Sequence, residues 1–182
     1  MKKITILLLT SILFLACSTE LEVPEAAIIA DNTILTYTDV EFSQTASSTI
    51  YGRFFSTKTG KIIKNIEVNA INGADIDIAY VGGPNSFIYF TSPDDVSQNY
   101  NIPNATKSSF KNYNSGFTVA DFDNMTNDSK LKNLEVINDN DAIGTLNFPV
   151  IVTFKNAKGK KGVIKLKAYN SSRLLVDIKV QK

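Results

Sequence analysis

Carboxylates are the side chains of this 182-residue chain best suited to chemistry, because it contains no histidine and only one cysteine. The usual zinc and copper ligand sets, and the Ser-His-Asp and Cys-His catalytic arrangements, are therefore excluded. Two neighbouring pairs, Asp75 with Asp77 and Asp94 with Asp95, could supply the carboxylates of a hydrolase. However, alternation places the first pair on the solvent face of a predicted strand, and the second pair follows a predicted helix start at Ser92. We expect no catalytic residue and no cofactor, with a hydrolase using an Asp/Glu pair as an alternative.

A calcium site is the one metal centre that the composition leaves open. Asp139, Asp141 and Gly144 occupy positions 1, 3 and 6 of an EF-hand-like loop. Positions 5 and 12 hold Ile143 and Val150, which lack oxygen ligands in their side chains. Asp and Asn also form local turns without any metal. Asp139 and Asp141 are therefore candidate calcium ligands, with a plain turn as the alternative.

Carbohydrate binding would need exposed aromatic side chains, and the chain has seven Tyr and eleven Phe but no Trp. Tyr100 and Tyr113 lie in the polar, Asn-rich segment 99–114, which we predict to be a long loop. They are the candidate ligand-binding residues. The alternative is that this loop folds back over the core.

The N-terminal residues form the pattern of a secretory signal peptide. Lys2 and Lys3 precede an uncharged stretch at 4–16, which spans roughly 20 Å as a helix and is too short for a hydrocarbon core of about 30 Å. Cys17 follows the small residue Ala16, and this junction resembles the bacterial lipobox, in which the cysteine thiol receives lipid. An ordinary signal peptide with an incidental cysteine is the alternative.

Lipidation of Cys17 predicts a membrane anchor, because two or three acyl chains hold a protein firmly. Residues 1–16 would then be the lipoprotein signal peptide, 17–33 the lipidated cysteine with its tether, and 34–182 a single β-rich domain. Acidic residues soon after the cysteine, Glu20 and Glu22, resemble a surface-export signal of Bacteroidota lipoproteins. The expected location is the outer membrane, on its periplasmic or its surface side.

Charge is unevenly distributed along the chain. Residues 75–141 contain ten acidic and four basic residues, whereas 151–182 contain nine basic residues and one acid. Such asymmetry could mark an anionic partner, but lysines also occupy the solvent faces and edges of sheets. No nucleic-acid-binding motif accompanies them, so we expect no nucleic-acid partner.

The clearest secondary structure is a C-terminal succession of three antiparallel strands. Apolar residues alternate with polar ones over 150–155, 164–169 and 174–180, and the turns fall at NAKGKKG and at Asn170 to Ser172. This period of two predicts one buried face and one wet face. Further strands are predicted in TILTYTDVEF, in two segments around STKTGK, and in two segments around GGPN.

Two short helices interrupt the strands. One is predicted as a helical turn after Ser92, and the other follows Thr118, with Asp121 in the capping position and Val119, Phe122 and Met125 at helical spacing. The fold class is therefore all-β: a two-layer antiparallel β-sandwich or a flattened barrel with one or two short helices.

Three blocks, FFSTKTGKIIKN, DIDIAYVGG and VIVTFKNAKGKKGVIKLKAY, resemble in their order the HmuY-like lipoproteins of Bacteroidota. The resemblance implies an all-β fold and a lipoprotein setting. Characterised members bind haem through paired axial ligands, commonly His. This chain has no His, and Met125 is its only methionine apart from the initiator, so no ligand residue is carried over.

We therefore expect a lipid-anchored, non-enzymatic binding or accessory module of the cell envelope, whose ligand is a protein, a glycan or haem. An HmuY-like haem-binding lipoprotein without His ligands is the first alternative, and the hydrolase is the second.

Overall fold

Short, β-branched and aromatic-rich segments of the sequence form nine β-strands in the computed structural model, which describes residues 33–83, 87–113, 115–139, 141–143 and 147–182. The strands are β1 (Ile34–Ser43), β2 (Phe54–Ser56), β3 (Lys61–Ile63), β4 (Ile78–Val81), β5 (Tyr89–Thr91), β6 (Ser109–Lys111), β7 (Val150–Lys155), β8 (Lys161–Tyr169) and β9 (Arg173–Gln181). Cys17 and most of the predicted tether lie outside the described residues. No helix in the described part of the chain is long and apolar enough to cross a membrane.

The strands form two antiparallel sheets, which confirms the predicted all-β class. The larger sheet has the order β1-β9-β8-β7-β6, and the smaller has the order β3-β2-β4-β5. The three predicted C-terminal strands are confirmed as β7, β8 and β9, and Leu174, Val176, Ile178 and Val180 are buried as expected.

Aromatic side chains fill the space between the two sheets. Phe42 packs against Phe55, Tyr80 and Phe90, and Phe90 in turn stacks on Phe110. Each of these five rings is at most 1% exposed. Aromatic pairs at such distances stabilise a core beyond the area that they bury.

Two helices cover the outer face of the larger sheet, so the prediction of a wet face was wrong there. They are α1 (Val119–Asp123) and α2 (Ser129–Lys132), and they form a buried cluster with the sheet. Its members are Ile34, Phe122, Met125, Leu131, Ile151 and Val163. The predicted capping pair of α1 is confirmed, since Thr118 and Asp121 bond each other's backbone N–H.

Irregular chain covers the outer face of the smaller sheet in the same way. Ile102 packs against Phe54 and Ala79 of that face, and Tyr100 lies beside them. Segment 99–114 is not wholly a loop as predicted, because Ser109–Lys111 forms β6 and pairs with β7. The helical turn predicted after Ser92 lies at Val96–Gln98 instead, where the Asp95 side chain accepts the N–H of Ser97.

Candidate functional site

Asp77 enters the protein interior at the start of β4. Its neighbours Ile76 and Ile78 are both fully buried, so the backbone between them runs inside the domain. Asp77 itself is only 6% exposed. The prediction that Asp77 lies on the solvent face of a strand was wrong, because the strand begins one residue later, at Ile78.

Thr57, in the turn between β2 and β3, holds one oxygen of the Asp77 carboxyl. Its backbone N–H and its hydroxyl both donate to Oδ2, at 2.9 and 2.5 Å. The Thr57 carbonyl accepts a hydrogen bond from the Tyr37 hydroxyl, and its Oγ1 accepts one from the Asn156 amide. Because Asn156 belongs to the turn between β7 and β8, this network joins the two sheets at one end of the sandwich.

Burial raises the pKa of Asp77 above its ordinary value of 3.8. The hydrogen bonds from Thr57 and the positive charge of Lys158 oppose this shift, and the charge of Asp75 adds to it. The other carboxyl oxygen, Oδ1, accepts no hydrogen bond from any described residue. A buried carboxyl with a perturbed pKa and a free oxygen in a cleft is a candidate for binding or catalysis.

Asp77 lies in the wall of a cleft with a volume of about 290 Å³. Leu35 and Ala74 contribute apolar side chains, and Thr106 and Gln181 add polar groups. Four lysines also line the cleft: Lys58, Lys158, Lys160 and Lys182. The volume is near the lower end of small-molecule sites, which are concave and mostly apolar with a few oriented polar groups.

The predicted pair Asp75 and Asp77 is brought together in this cleft. Asp75 lies in a 3-10 turn, Gly73–Asp75, and both of its carboxylate oxygens accept from the Lys58 ammonium, at 3.0 and 2.9 Å. The other pair, Asp94 and Asp95, serves local structure: Asp94 accepts from the Ser92 hydroxyl, and Asp95 caps the turn that follows.

Of the four lysines in the cleft, two have local partners. Lys58 is paired with Asp75, and the Lys160 ammonium donates to the main-chain oxygen of Lys182. Lys158 and Lys182 form no ion pair with any described residue. Other lysines of the C-terminal strands are neutralised by acids, such as Lys165 by Asp123 on α1. Among the side chains that line the cleft, four lysines face two aspartates.

The two predicted ligand-binding tyrosines, Tyr100 and Tyr113, lie in different environments. The Tyr100 ring packs edge-on against Phe54, with ring centroids 5.2 Å apart, and burial strongly raises the pKa of its hydroxyl. Tyr113 is 57% exposed and lines a separate open groove of about 500 Å³, together with Phe117, Val119 and Ile151. Tyr100 also lines a cleft, of about 290 Å³, but its hydroxyl is buried and has no hydrogen-bond partner among the described residues.

The predicted calcium ligands, Asp139 and Asp141, lie on a segment that is hydrogen-bonded to Phe110 of β6. Asp139 accepts hydrogen bonds from the N–H groups of Asn112 and Tyr113 and from the Asn112 side chain, so its carboxylate has a structural role. Asp141 is exposed, Ile143 is buried in the core, and Gly144 lies outside the described residues. No cluster of three or more potential metal ligands occurs among the described residues. Calcium binding stays a prediction.

Sequence reasoning did not identify the Asp77 cleft, although the three blocks of the family resemblance meet there. Thr57 and Lys58 come from the first block, Asp75 and Asp77 from the second, and the turn beginning at Asn156 from the third. The signal in the sequence was the pair of acids Asp75 and Asp77 on either side of Ile76, in an otherwise apolar segment. Met125, the sole methionine within the predicted domain, packs beneath α1 and lines no part of this cleft.

No protein-family model, curated protein or solved structure matches this chain.

Proposed function

We propose that this protein is a lipid-anchored, non-enzymatic binding module of the cell envelope, and that the Asp77 cleft receives its ligand. The observation that carries the proposal is the free Oδ1 of a nearly buried carboxyl, in a cleft whose other charged groups are mainly lysines. A group of this kind is costly to bury, so its position in a cavity indicates a use there.

The cleft fits a small, acidic ligand that also carries a hydroxyl or amino group. Oδ1 of Asp77 would accept the hydrogen bond of that donor, while the ammonium groups of Lys158 and Lys182 would attract the anionic group. Leu35 and Ala74 offer apolar surface to the carbon skeleton. Small hydroxy acids, amino acids and uronic acids have this combination of groups.

A thermal-shift screen of the full chain against these three classes of acid tests the binding site. A ligand at about a hundred times its dissociation constant adds roughly 2.7 kcal/mol of stability, which is several degrees for a domain of this size. We expect a shift with at least one acid, its loss in Asp77→Asn, and its retention in Asp141→Asn, which changes an exposed Asp outside the cleft. An equal shift in both variants would place the ligand elsewhere.

The anchor is supported by the positive residues, uncharged stretch and cysteine at the start of the sequence. Replacing Cys17 by Ser removes the thiol that would carry the lipid, so the protein should move from the membrane fraction to the soluble fraction of lysed cells. Retention of Cys17→Ser in the membrane fraction to the same extent as wild type would exclude the lipid anchor.

A hydrolase is the second candidate, because Asp75 and Asp77 share one cleft and differ in environment. Burial favours the protonated form of Asp77, as a general acid requires, while Asp75 is held beside the Lys58 ammonium. Incubation of the full chain with fluorogenic glycosides separates the two candidates. Turnover that is abolished in both Asp75→Asn and Asp77→Asn would favour the hydrolase, whereas binding without turnover favours the binding module.

A further inference from the structure

Phe87 is an aromatic side chain that the fold leaves in solvent. It is 81% exposed, whereas its neighbour Ile88 is 1% exposed. The alternation continues into β5, where Tyr89 is half-buried and Phe90 is buried in the core. Phe87 and Tyr89 therefore project to the same, outer side of the chain, since successive side chains of an extended segment point in opposite directions. The Phe87 ring is therefore accessible to a ligand.

The two rings line an open cleft of about 530 Å³, separate from the Asp77 cleft. Its other walls come from the turn after β5, which supplies Asp95 and Ser97, and from Asp139. The cleft thus combines aromatic rings with two carboxylates, and no lysine or arginine is among the described residues that line it.

The polar groups of this cleft are held in place before any ligand arrives. The Gln98 amide donates to the Tyr89 hydroxyl at 2.9 Å. Asp95 accepts from the Ser97 N–H and hydroxyl through Oδ1, at 2.9 and 2.7 Å, and from the Thr91 hydroxyl through Oδ2, at 2.6 Å. Asp139 is fixed by the backbone of Asn112 and Tyr113, as described above. Groups ordered in this way lose little entropy on binding.

We propose that this cleft binds a neutral oligosaccharide. The C–H face of a pyranose ring is apolar and carries a slight positive charge, which suits the negative face of the Phe87 or Tyr89 ring. Its hydroxyl groups are donors, which suits carboxylates that each retain lone pairs. The two negative charges, with no cation beside them in the lining, disfavour an acidic glycan.

The protonation state of Asp95 suits a hydrogen-bond acceptor. Partial burial opposes ionisation of Asp95, but the hydrogen bonds from Thr91 and Ser97 together outweigh burial and lower its pKa. Asp95 is therefore ionised at neutral pH, and its carboxylate can accept hydrogen bonds from the hydroxyl groups of a sugar.

Calorimetric titration of the full chain, in a detergent without a sugar headgroup, tests the proposal. The probes are four neutral hexasaccharides (cello-, laminari-, manno- and maltohexaose) and one acidic control, hexagalacturonic acid. We expect at least one neutral probe to bind, and Phe87→Ala to weaken it at least tenfold. Ile71→Ala, which removes another exposed apolar side chain outside this cleft, should leave the affinity unchanged. Because Phe87 is so exposed, its variant should fold normally, which a urea unfolding curve checks.

Three outcomes would overturn the proposal: no neutral probe binds, Phe87→Ala binds as tightly as wild type, or the acidic probe binds more tightly than every neutral one. Asp77→Asn should keep the glycan affinity, so failure here is distinct from failure of the Asp77 cleft. The variant Phe87→Trp places the only tryptophan of the chain in the cleft. A change in its fluorescence on adding the bound probe is expected, and its absence would contradict the location.

Discussion

Asp77 shows how a residue's environment, and not its type, makes it a candidate for function. In the sequence it alternates with Ile76 and Ile78, as an outward-facing residue of a strand does. The structure buries it because Thr57, in the turn between β2 and β3, holds its carboxyl at one end of the sandwich, and this contact between distant residues could not be predicted from a local pattern. The sequence therefore predicted a pair of neighbouring carboxylates at 75 and 77 but not that one of them would be enclosed.

The raised pKa of Asp77 makes stability depend on pH. The native state binds this proton more tightly than the unfolded state, so the contribution of Asp77 is most favourable below its unfolded value of about 3.8 and is lost as pH rises through the native pKa. Compared with Asp77→Asn, which does not titrate, the wild-type free energy of unfolding should fall between acidic and neutral pH. Urea unfolding of both proteins across that range measures the difference.

A difference between the two proteins that is constant with pH would show that the native and unfolded pKa values are the same. A difference that grows in favour of wild type as pH rises would mean that the hydrogen bonds from Thr57 and the charge of Lys158 outweigh burial.

The strands illustrate which elements a sequence can specify. The C-terminal strands were predictable because apolar and polar residues largely alternate through β7, with six residues, and through β8 and β9, with nine residues each. The contact between β5 and the residues after β6 was not predictable, because a side chain, that of Asn112, makes its hydrogen bonds. Asn112 is 2% exposed, and its amide both accepts the Phe90 N–H at 2.7 Å and donates to the Phe90 carbonyl at 2.9 Å. It thus continues hydrogen bonding from the edge of one sheet to the edge of the other.

Asn112→Ala should therefore destabilise the domain by about 3 kcal/mol, since it leaves two backbone groups of Phe90 without partners and each such group costs about 1–3 kcal/mol. Asn133→Ala is the matched control, because Asn133 is exposed after α2 and its backbone conformation suits alanine. Urea unfolding of the two variants gives the comparison. Equal stability of both would show that the amide of Asn112 does not join the sheets.

For the molecule as a whole, one aromatic core connects both sheets. Phe residues close together in sequence therefore differ sharply in their contribution to stability. Phe90→Ala should cost about 4 kcal/mol, because it opens a cavity among Phe42, Tyr80 and Phe110. Phe87→Ala, three residues earlier on the exposed side, should change stability by less than about 0.5 kcal/mol. The free energies of unfolding from denaturant titration test this contrast. A similar loss of stability in both variants would contradict the placement of Phe90 in the core and of Phe87 in solvent.

The Asp77 cleft also belongs to the scale of the whole molecule. Its lining comes from residues as distant in sequence as Leu35, Asp77 and Gln181, and only the strand order brings them together. A sequence without strong long-range signals predicts strands and their turns, but not which turns share an end of the sandwich. This is why the fold class could be predicted, whereas the predicted site residues, Tyr100 and Tyr113, are not those of the cleft.

Amide-resolved NMR titration of the full chain with the hydroxy, amino and uronic acids tests the central claim most directly. The amides to follow are those of Thr57, Lys158 and Lys160, since the first donates to Asp77 and the other two donate to the Asn156 side chain. At least one acid should move these three signals in wild type and in Asp141→Asn, but not in Asp77→Asn. If no acid moves them, or if they move equally in Asp77→Asn, the cleft is not the binding site.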